Sequence, residues 1–233
     1  MDYRLAIEGA PDTVPGGSAV LLLHPSTGET DRIDTDFLKT DTDAFLVIST
    51  RTTAREVMQK LDHYGVAERR TDADREGDDD GDGDGDGTNA NDDDGREGAS
   101  AANERPGGAV EAVVLDALSV DRGYSRRSAE NVRYVSAPDD VEGILAVTEE
   151  FLATHEGKRR VSFDSLTELA YYADEEAALD ALERMVRLLE AYDAVGLFHV
   201  SEEVHDAATI RRFRALCDGV VDLDEDGTIT VDF

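Results

Sequence analysis

The 233-residue chain is 40% hydrophobic, which is enough for one sizeable α/β core or two small domains. Its net charge of −31 argues against sequence-independent nucleic-acid binding, because that affinity comes from Lys and Arg displacing the counterions of phosphates. Residues 1–30 lack a basic start followed by an apolar core, and no apolar run is long enough to cross a bilayer. We therefore expect a cytoplasmic protein that binds neither membranes nor nucleic acid.

The negative charge is spread along the whole chain. Residues 72–97 carry 13 acidic residues and two arginines, so a net charge of −20 remains on the rest, and lysine occurs only at positions 39, 60 and 158. This composition resembles that of proteins from salt-loving archaea. Such a surface repels itself unless salt screens it, with a Debye length of about 3 Å at 1 M. We expect the folded state to require high salt.

The first predicted strand covers residues 19–23, a continuous apolar run between a glycine pair and a proline, as in a buried parallel strand. The segment from Leu23 to Thr30 aligns with the phosphate-binding pattern G-x-x-x-x-G-K-[ST], whose lysine neutralises phosphates and whose hydroxyl holds magnesium. Gly28 and Thr30 match this pattern, whereas Leu23 replaces the first glycine and Glu29 replaces the lysine. Taken alone, the segment fits an ordinary strand followed by a Ser-Thr-Gly turn equally well.

Apolar periodicity predicts alternating strands and helices after this segment. Strands are predicted at 44–49, 110–115, 161–163 and 195–200, and helices at 53–64 with Gly65 as C-cap, from Pro138 through 152, from a cap at Asp174 through 189, and at 209–217. Residues 220–233 predict a β-hairpin that turns at Asp226-Gly227. This alternation predicts a mostly parallel sheet flanked by helices, with a C-terminal β-hairpin.

We predict that an acidic insert at residues 71–109 divides a single α/β domain into residues 1–70 and 110–233. The insert consists mainly of Asp, Gly, Asn, Arg, Glu and Ala. It therefore buries too little apolar surface to offset the entropy of ordering, and we predict that it is disordered.

No segment strongly predicts a metal site or a nucleophile. Residues 82–87 resemble the first half of a calcium loop without its flanking helices or bidentate glutamate, which favours a linker over a calcium-responsive segment. A similar run at 222–227 has Phe233 where the glutamate is required and fits the hairpin better. Cys217 lies in a helical pattern as a small buried thiol, and the five histidines lack metal-site spacing.

The order of elements, together with Val161-Ser-Phe-Asp-Ser-Leu-Thr-Glu-Leu169, resembles the RecA-like ATPase core of KaiC and the gas-vesicle regulator GvpD. In that family an apolar strand ends in Asp-Ser-Leu and the aspartate acts on magnesium-bound water. The resemblance places Asp164 and Ser165 on these Walker B positions. Residues 196–206 and 216–223 also resemble the late strand and the terminal hairpin of the family.

Three positions depart from the family. RecA-like ATPases of this kind carry a catalytic glutamate at the end of the second strand, where this chain has Arg51, and an arginine cannot polarise water as a carboxylate does. Leu23 and Glu29 additionally remove the loop glycine and the phosphate-binding lysine. The resemblance thus implies a pseudo-ATPase without catalytic or metal-binding residues. Its vestigial nucleotide site would comprise Ser26, Thr27, Gly28, Glu29, Thr30, Asp164 and Ser165.

Structural roles remain open for several charged residues. An aspartate that ends a parallel strand often caps the following turn, and Asp116 has the same form as Asp164. Four arginines flank a loop at the edge where open α/β sheets bind ligands, either as an anion or partner site or, as we favour, as charge compensation: Arg122, Arg126, Arg127 and Arg133. The solvated side of the last helix is predicted to carry Arg211, Arg212 and Arg214.

These observations predict a non-hydrolysing regulatory or signalling module that needs no cofactor and acts through protein contacts or self-association. The alternative is a nucleotide-binding switch or ATPase whose site for ATP and magnesium is completed by oligomerisation, with the arginines at 122–127 as candidates.

Overall fold

The computed structural model describes residues 1–27, 30–63, 65, 110–124 and 129–233. The disorder predicted for 71–109 and the linker predicted at 82–87 lie outside these ranges. Within them the chain alternates strands and helices.

The strands confirm the predicted mostly parallel sheet. They are β1 Asp2–Arg4, β2 Thr13–Pro15, β3 Ala19–His24, β4 Ala44–Ser49, β5 Glu111–Asp116, β6 Val132–Tyr134, β7 Arg159–Asp164, β8 Val195–Ser201, β9 Gly219–Leu223 and β10 Ile229–Asp232. Eight strands form one sheet in the order β10-β9-β3-β8-β7-β4-β5-β6. Only β10 runs antiparallel to its neighbour in this sheet, as the second strand of the predicted C-terminal hairpin. The strands β1 and β2 form a separate antiparallel pair.

Helices cover both faces of the sheet. They are α1 Asp31–Lys39, α2 Ala54–His63, α3 Val141–Thr154, α4 Leu166–Tyr172, α5 Glu175–Tyr192 and α6 Ala207–Ala215. One core layer joins the sheet to α1, α2 and the β1–β2 pair, and the other joins it to α3, α4, α5 and α6. Because both faces are covered, every residue of β3, β4 and β8 is buried, which explains their continuous apolar sequences.

Helix boundaries follow the capping residues. Asp174 caps α5 through a bond from the backbone N–H of Ala177 at 2.8 Å, and Gly65 follows α2 with a φ of +63°, as predicted. The predicted start of α3 at Pro138 is wrong, since Asp140 is the cap and the helix begins at Val141. Helix α6 likewise begins two residues before the prediction, because Asp206 accepts bonds from the first turn.

Candidate functional site

The carboxyl ends of the parallel strands meet at one edge of the sheet, which is where open α/β sheets bind ligands. In the register of the sheet, Ser49 at the end of β4 lies beside both Asp164 of β7 and Asp116 of β5. On the other side of β7, His24 of β3 lies beside Ser201 of β8. The two strand-end aspartates that the sequence singled out therefore flank the same strand.

Asp164 is held in an ion pair with Arg51. The Arg51 Nε lies 3.1 Å from Asp164 Oδ1 and 3.3 Å from Oδ2, and the side chains are 30% and 23% exposed. The arginine that follows β4 thus neutralises the aspartate that ends β7. The residue that the sequence identified as the replacement of a catalytic glutamate and the residue placed on the Walker B position are partners in this fold.

Asp116 has a structural role. Its carboxylate is 1% exposed and accepts the backbone N–H groups of Ala54, Leu118 and Ser119 at 2.7, 3.0 and 2.8 Å. The Ser119 hydroxyl adds a fourth bond at 2.6 Å. Asp116 therefore fastens the start of α2 to the turn after β5, which is the capping role left open for a strand-end aspartate.

Ser165 also has a structural role. Its hydroxyl caps α4 by accepting the backbone N–H of Glu168 at 3.2 Å, and the side chain is buried. Its backbone N–H donates to the Thr50 hydroxyl at 2.9 Å, and its carbonyl accepts from the same hydroxyl at 3.0 Å. These bonds join the ends of β4 and β7 and fix the positions of Arg51 and Asp164.

The loop after β3 is bound by a carboxylate from elsewhere in the chain. The backbone N–H of Ser26 donates to Glu203 Oε1 at 2.8 Å. The side chain and then the backbone N–H of Ser26 lower the pKa of Glu203. Ser26 and Thr27 are exposed, while Gly28 and Glu29 lie outside the described residues. Within the described part of this predicted phosphate loop, one backbone donor therefore already holds an anion.

The hydroxyl of Thr30 is also engaged within the chain. Thr30 is buried and donates to Asp34 Oδ2 at 2.9 Å. Asp31 and Asp34 lie in the first turn of α1, so two carboxylates stand at the helix end that favours negative charge. The predicted magnesium-binding hydroxyl thus bonds a neighbouring aspartate.

Asp34 connects this helix to a buried pair of histidines. The Nε2 atom of His199 lies 2.9 Å from Asp34 Oδ1, and the His24 and His199 rings meet edge to face with centroids 5.6 Å apart. Burial disfavours the charged form of His199, but the Asp34 carboxylate outweighs it and raises the pKa of His199. Burial, followed by the nearby His199, lowers the pKa of His24.

These opposite shifts predict a stability maximum near the ordinary histidine pKa of 6.5. The stabilisation from charged His199 is present below pH 6.5 and is lost as the pH rises through its higher folded pKa. Folding keeps His24 neutral, so its contribution grows as the pH rises to 6.5. We expect His199→Gln to flatten the loss of stability on the alkaline side, and His24→Gln to flatten the gain on the acidic side.

Urea unfolding from about pH 5 to about pH 9 measures both slopes, with the difference between variant and parent as the readout. The interpretation is wrong if both variants keep the slopes of the parent protein.

Thr30, Arg51 and Asp164 line a cleft of about 190 Å³ between α1 and α2. Lys60 of α2 also lines it and bonds Asp31 of α1 at 3.0 Å. The apolar lining residues Leu38, Val57 and Leu61 belong to the core layer that contains these two helices.

The other predicted site residues are engaged elsewhere. Arg122 donates to the Tyr172 hydroxyl at 2.7 Å and Arg133 to the Glu130 carbonyl, while Arg126 and Arg127 lie outside the described residues. Arg212 and Arg214 pair with acidic residues of α5 and β9, which agrees with a solvated helix side.

His205 and Cys217 are also engaged or partly buried within the fold. His205 lies between Thr167 and Glu175, at 3.1 and 3.0 Å. Cys217 is partly buried, and this burial raises its thiol pKa to about 12. Over the described ranges, no group of three His, Cys, Asp or Glu side chains is arranged to hold a metal ion.

Sequence reasoning missed the partners of the site. Asp34 lies four residues after Thr30, a spacing that places both on one helix face and could have predicted their bond. The sequence did not connect His199 with Asp34, because their contact depends on β8 lying next to β3 in the sheet.

The mostly parallel α/β fold is similar to that of KaiC-like proteins. Over 96% of its length the chain is similar to 81% of a KaiC-like protein from the hyperthermophilic archaeon Pyrococcus horikoshii OT3, with a TM-score of 0.55 and 12% identity. Over 94% of its length the chain is also similar to 87% of a second protein from Pyrococcus horikoshii OT3, with a TM-score of 0.54 and 9% identity. At these identities the likeness concerns the fold alone.

The chain belongs to the family DUF7090, a family of unknown function, whose model matches residues 1–74 and 108–233. A comparison with curated proteins found no match. Among the described helices, none combines the length and the apolar character needed to cross a membrane.

Proposed function

We propose that this protein is a non-hydrolysing RecA-like regulatory module, a pseudo-ATPase that acts through protein contacts. The observation that carries the proposal is the Arg51–Asp164 ion pair at 3.1 Å. These residues stand on the two positions at which the resemblance places the catalytic glutamate and the Walker B aspartate. A carboxylate paired with a guanidinium is a poor ligand for magnesium-bound water, because its charge is already neutralised.

The contacts around the phosphate loop support the same proposal. To bind a nucleotide as the phosphate loop of this family does, the chain needs free backbone N–H donors, a cation at position 29 and a hydroxyl for magnesium. In this chain the Ser26 backbone N–H binds Glu203, position 29 is a glutamate, and the Thr30 hydroxyl binds Asp34. This pattern does not fit a bound magnesium triphosphate, because carboxylates already accept from the Ser26 N–H and the Thr30 hydroxyl and position 29 is not a cation.

Isothermal titration of MgATP and MgADP into the purified protein at molar salt tests the proposal, with circular dichroism to confirm folding. We expect no saturable binding tighter than about 1 mM, and no phosphate release above that of an Asp164→Ala variant. The proposal is wrong if the protein binds or hydrolyses MgATP and the Asp164→Ala variant does not.

Light scattering with and without nucleotide tests the alternative function. Assembly that depends on MgATP would support a nucleotide switch completed between subunits. Unchanged mass in the presence of nucleotide is expected for a pseudo-ATPase whose contacts do not depend on it.

A further inference from the structure

The cleft between α1 and α2 is lined by both acidic and basic side chains. The α1 wall carries the carboxylates of Asp31 and Asp34, and the rest of the lining includes Lys60 of α2, Arg51 and the Asp164 carboxylate paired with Arg51. The ion pair between Lys60 and Asp31 crosses from one wall to the other, and both side chains are partly exposed, at 55% and 36%. Three further charged residues line the cleft: Asp34, which pairs with His199, and Arg51 and Asp164, which pair with each other.

Arg51 keeps hydrogen-bond donors for a ligand. Its Nε is directed to Asp164, and in the described part of the chain neither terminal guanidinium nitrogen has a protein acceptor. The side chain is 30% exposed, so these donors are reachable from solvent. A guanidinium edge with two free nitrogens matches the two oxygens of a carboxylate.

Asp34 offers the complementary charge. Its Oδ2 accepts one bond from Thr30, and its side chain is 25% exposed. His199 and the Thr30 hydroxyl keep Asp34 ionised by lowering its pKa against the effect of burial. An ionised carboxylate with remaining lone pairs binds an ammonium group well.

The cleft is small, and four apolar side chains contribute to its lining. Leu38, Val47, Val57 and Leu61 line it together with the polar groups. Its volume of about 190 Å³ is below the roughly 300–1,000 Å³ of sites for drug-sized ligands. This volume suits a ligand smaller than a nucleotide.

We propose that this cleft binds a small zwitterion with an ammonium group, a carboxylate and a short apolar chain, such as an aliphatic α-amino acid. The carboxylate accepts from the terminal nitrogens of Arg51, the ammonium donates to Asp34, and the apolar chain packs on Val47 and Leu61. A lone anion would meet the carboxylates of Asp31, Asp34 and Asp164, and a lone cation would leave the terminal nitrogens of Arg51 without an acceptor. This proposal goes beyond the pseudo-ATPase role, because it assigns a binding site for a small molecule to a module that does not turn over ATP.

Calorimetric titration of the full chain at molar salt with L-leucine, L-methionine and L-phenylalanine tests this site. We expect saturable binding of at least one of them. Two analogues of leucine, 4-methylpentanoate without the ammonium group and 3-methylbutylamine without the carboxylate, are expected to bind about tenfold more weakly or less. The proposal is overturned if none of the amino acids binds, or if either analogue binds as well as leucine.

Variants locate the site. Arg51→Gln and Asp34→Asn are expected to weaken binding of the tightest amino acid about tenfold each. The matched controls Arg184→Gln and Asp222→Asn remove an arginine that pairs with Glu142 and an aspartate that pairs with Arg214, away from the cleft, and should leave binding unchanged. Equal loss in the controls would overturn the assignment. If a cleft variant does not fold, the titrations of the parent protein with the leucine analogues still test the proposal. None of these results depends on whether MgATP binds.

Discussion

Replacing Asp116 by alanine is expected to lower the free energy of unfolding by about 4 kcal/mol. The carboxylate is buried and accepts four hydrogen bonds, three of them from backbone N–H groups at 2.7–3.0 Å. The substitution leaves these donors buried without an acceptor, and each such donor costs about 1–3 kcal/mol. It also disconnects the start of α2 from the turn after β5.

Asp164→Ala is the matched control, because it changes the other strand-end aspartate at the same edge. Its side chain pairs only with Arg51 in the described ranges, and both partners are in contact with solvent. Partly exposed ion pairs contribute about 0–1 kcal/mol, so we expect a loss of that size. Urea unfolding of both variants at molar salt measures the difference. Similar losses in the two variants would contradict the distinction between Asp116 as a structural residue and Asp164 as a residue of the candidate site.

Arg160→Ala is expected to destabilise the protein by a similar amount, about 4 kcal/mol. Arg160 in β7 is fully buried, and its Nη2 donates to the carbonyls of Arg4 and Thr40 at 2.7 and 2.9 Å. Its guanidinium also lies over the rings of Tyr3 and Phe37, at 5.4 and 4.8 Å from their centroids. Alanine removes the donors to both carbonyls and leaves a cavity between the two rings.

Arg160→Met separates the packing from the charge. Burial lowers the pKa of Arg160 to about 10, so it remains charged at neutral pH, and its Nε and Nη1 have no hydrogen-bond partner among the described residues. Methionine fills much of the same volume and removes this costly buried cation, although the two carbonyls still lose their donors. We expect a loss of about 2 kcal/mol in urea unfolding, about half that of alanine. A loss as large as that of alanine would show that the hydrogen bonds dominate and the packing contributes little.

Arg160 also shows why one strand was predicted too short. The apolar pattern placed this strand at 161–163, whereas β7 spans Arg159–Asp164. A charged residue normally marks the end of a buried strand, and only the aromatic rings and carbonyls around Arg160 make its burial tolerable. The sequence contains no local sign of these partners.

Helix α1 was missed for a related reason. Its nine residues, Asp31–Lys39, include five charged side chains, and only Ile33, Phe37 and Leu38 are buried. A pattern with so few apolar positions gives a weak periodic signal, so the packing of the helix on the sheet decides its formation. Helix α4 has only 7 residues and follows directly after its cap Ser165. Its apolar pattern was therefore too short to predict a helix.

The sequence by itself determined much of the alternation of strands and helices, the C-terminal hairpin and the positions of Arg51, Asp116 and Asp164 near strand ends. These features depend on local periodicity, caps and turns, which are properties of consecutive residues. Only the tertiary structure decided that Arg51 pairs with Asp164, that Asp116 is satisfied by backbone donors, and that His199 faces Asp34. Strand order sets these contacts, because it brings together strand ends that are far apart in the chain.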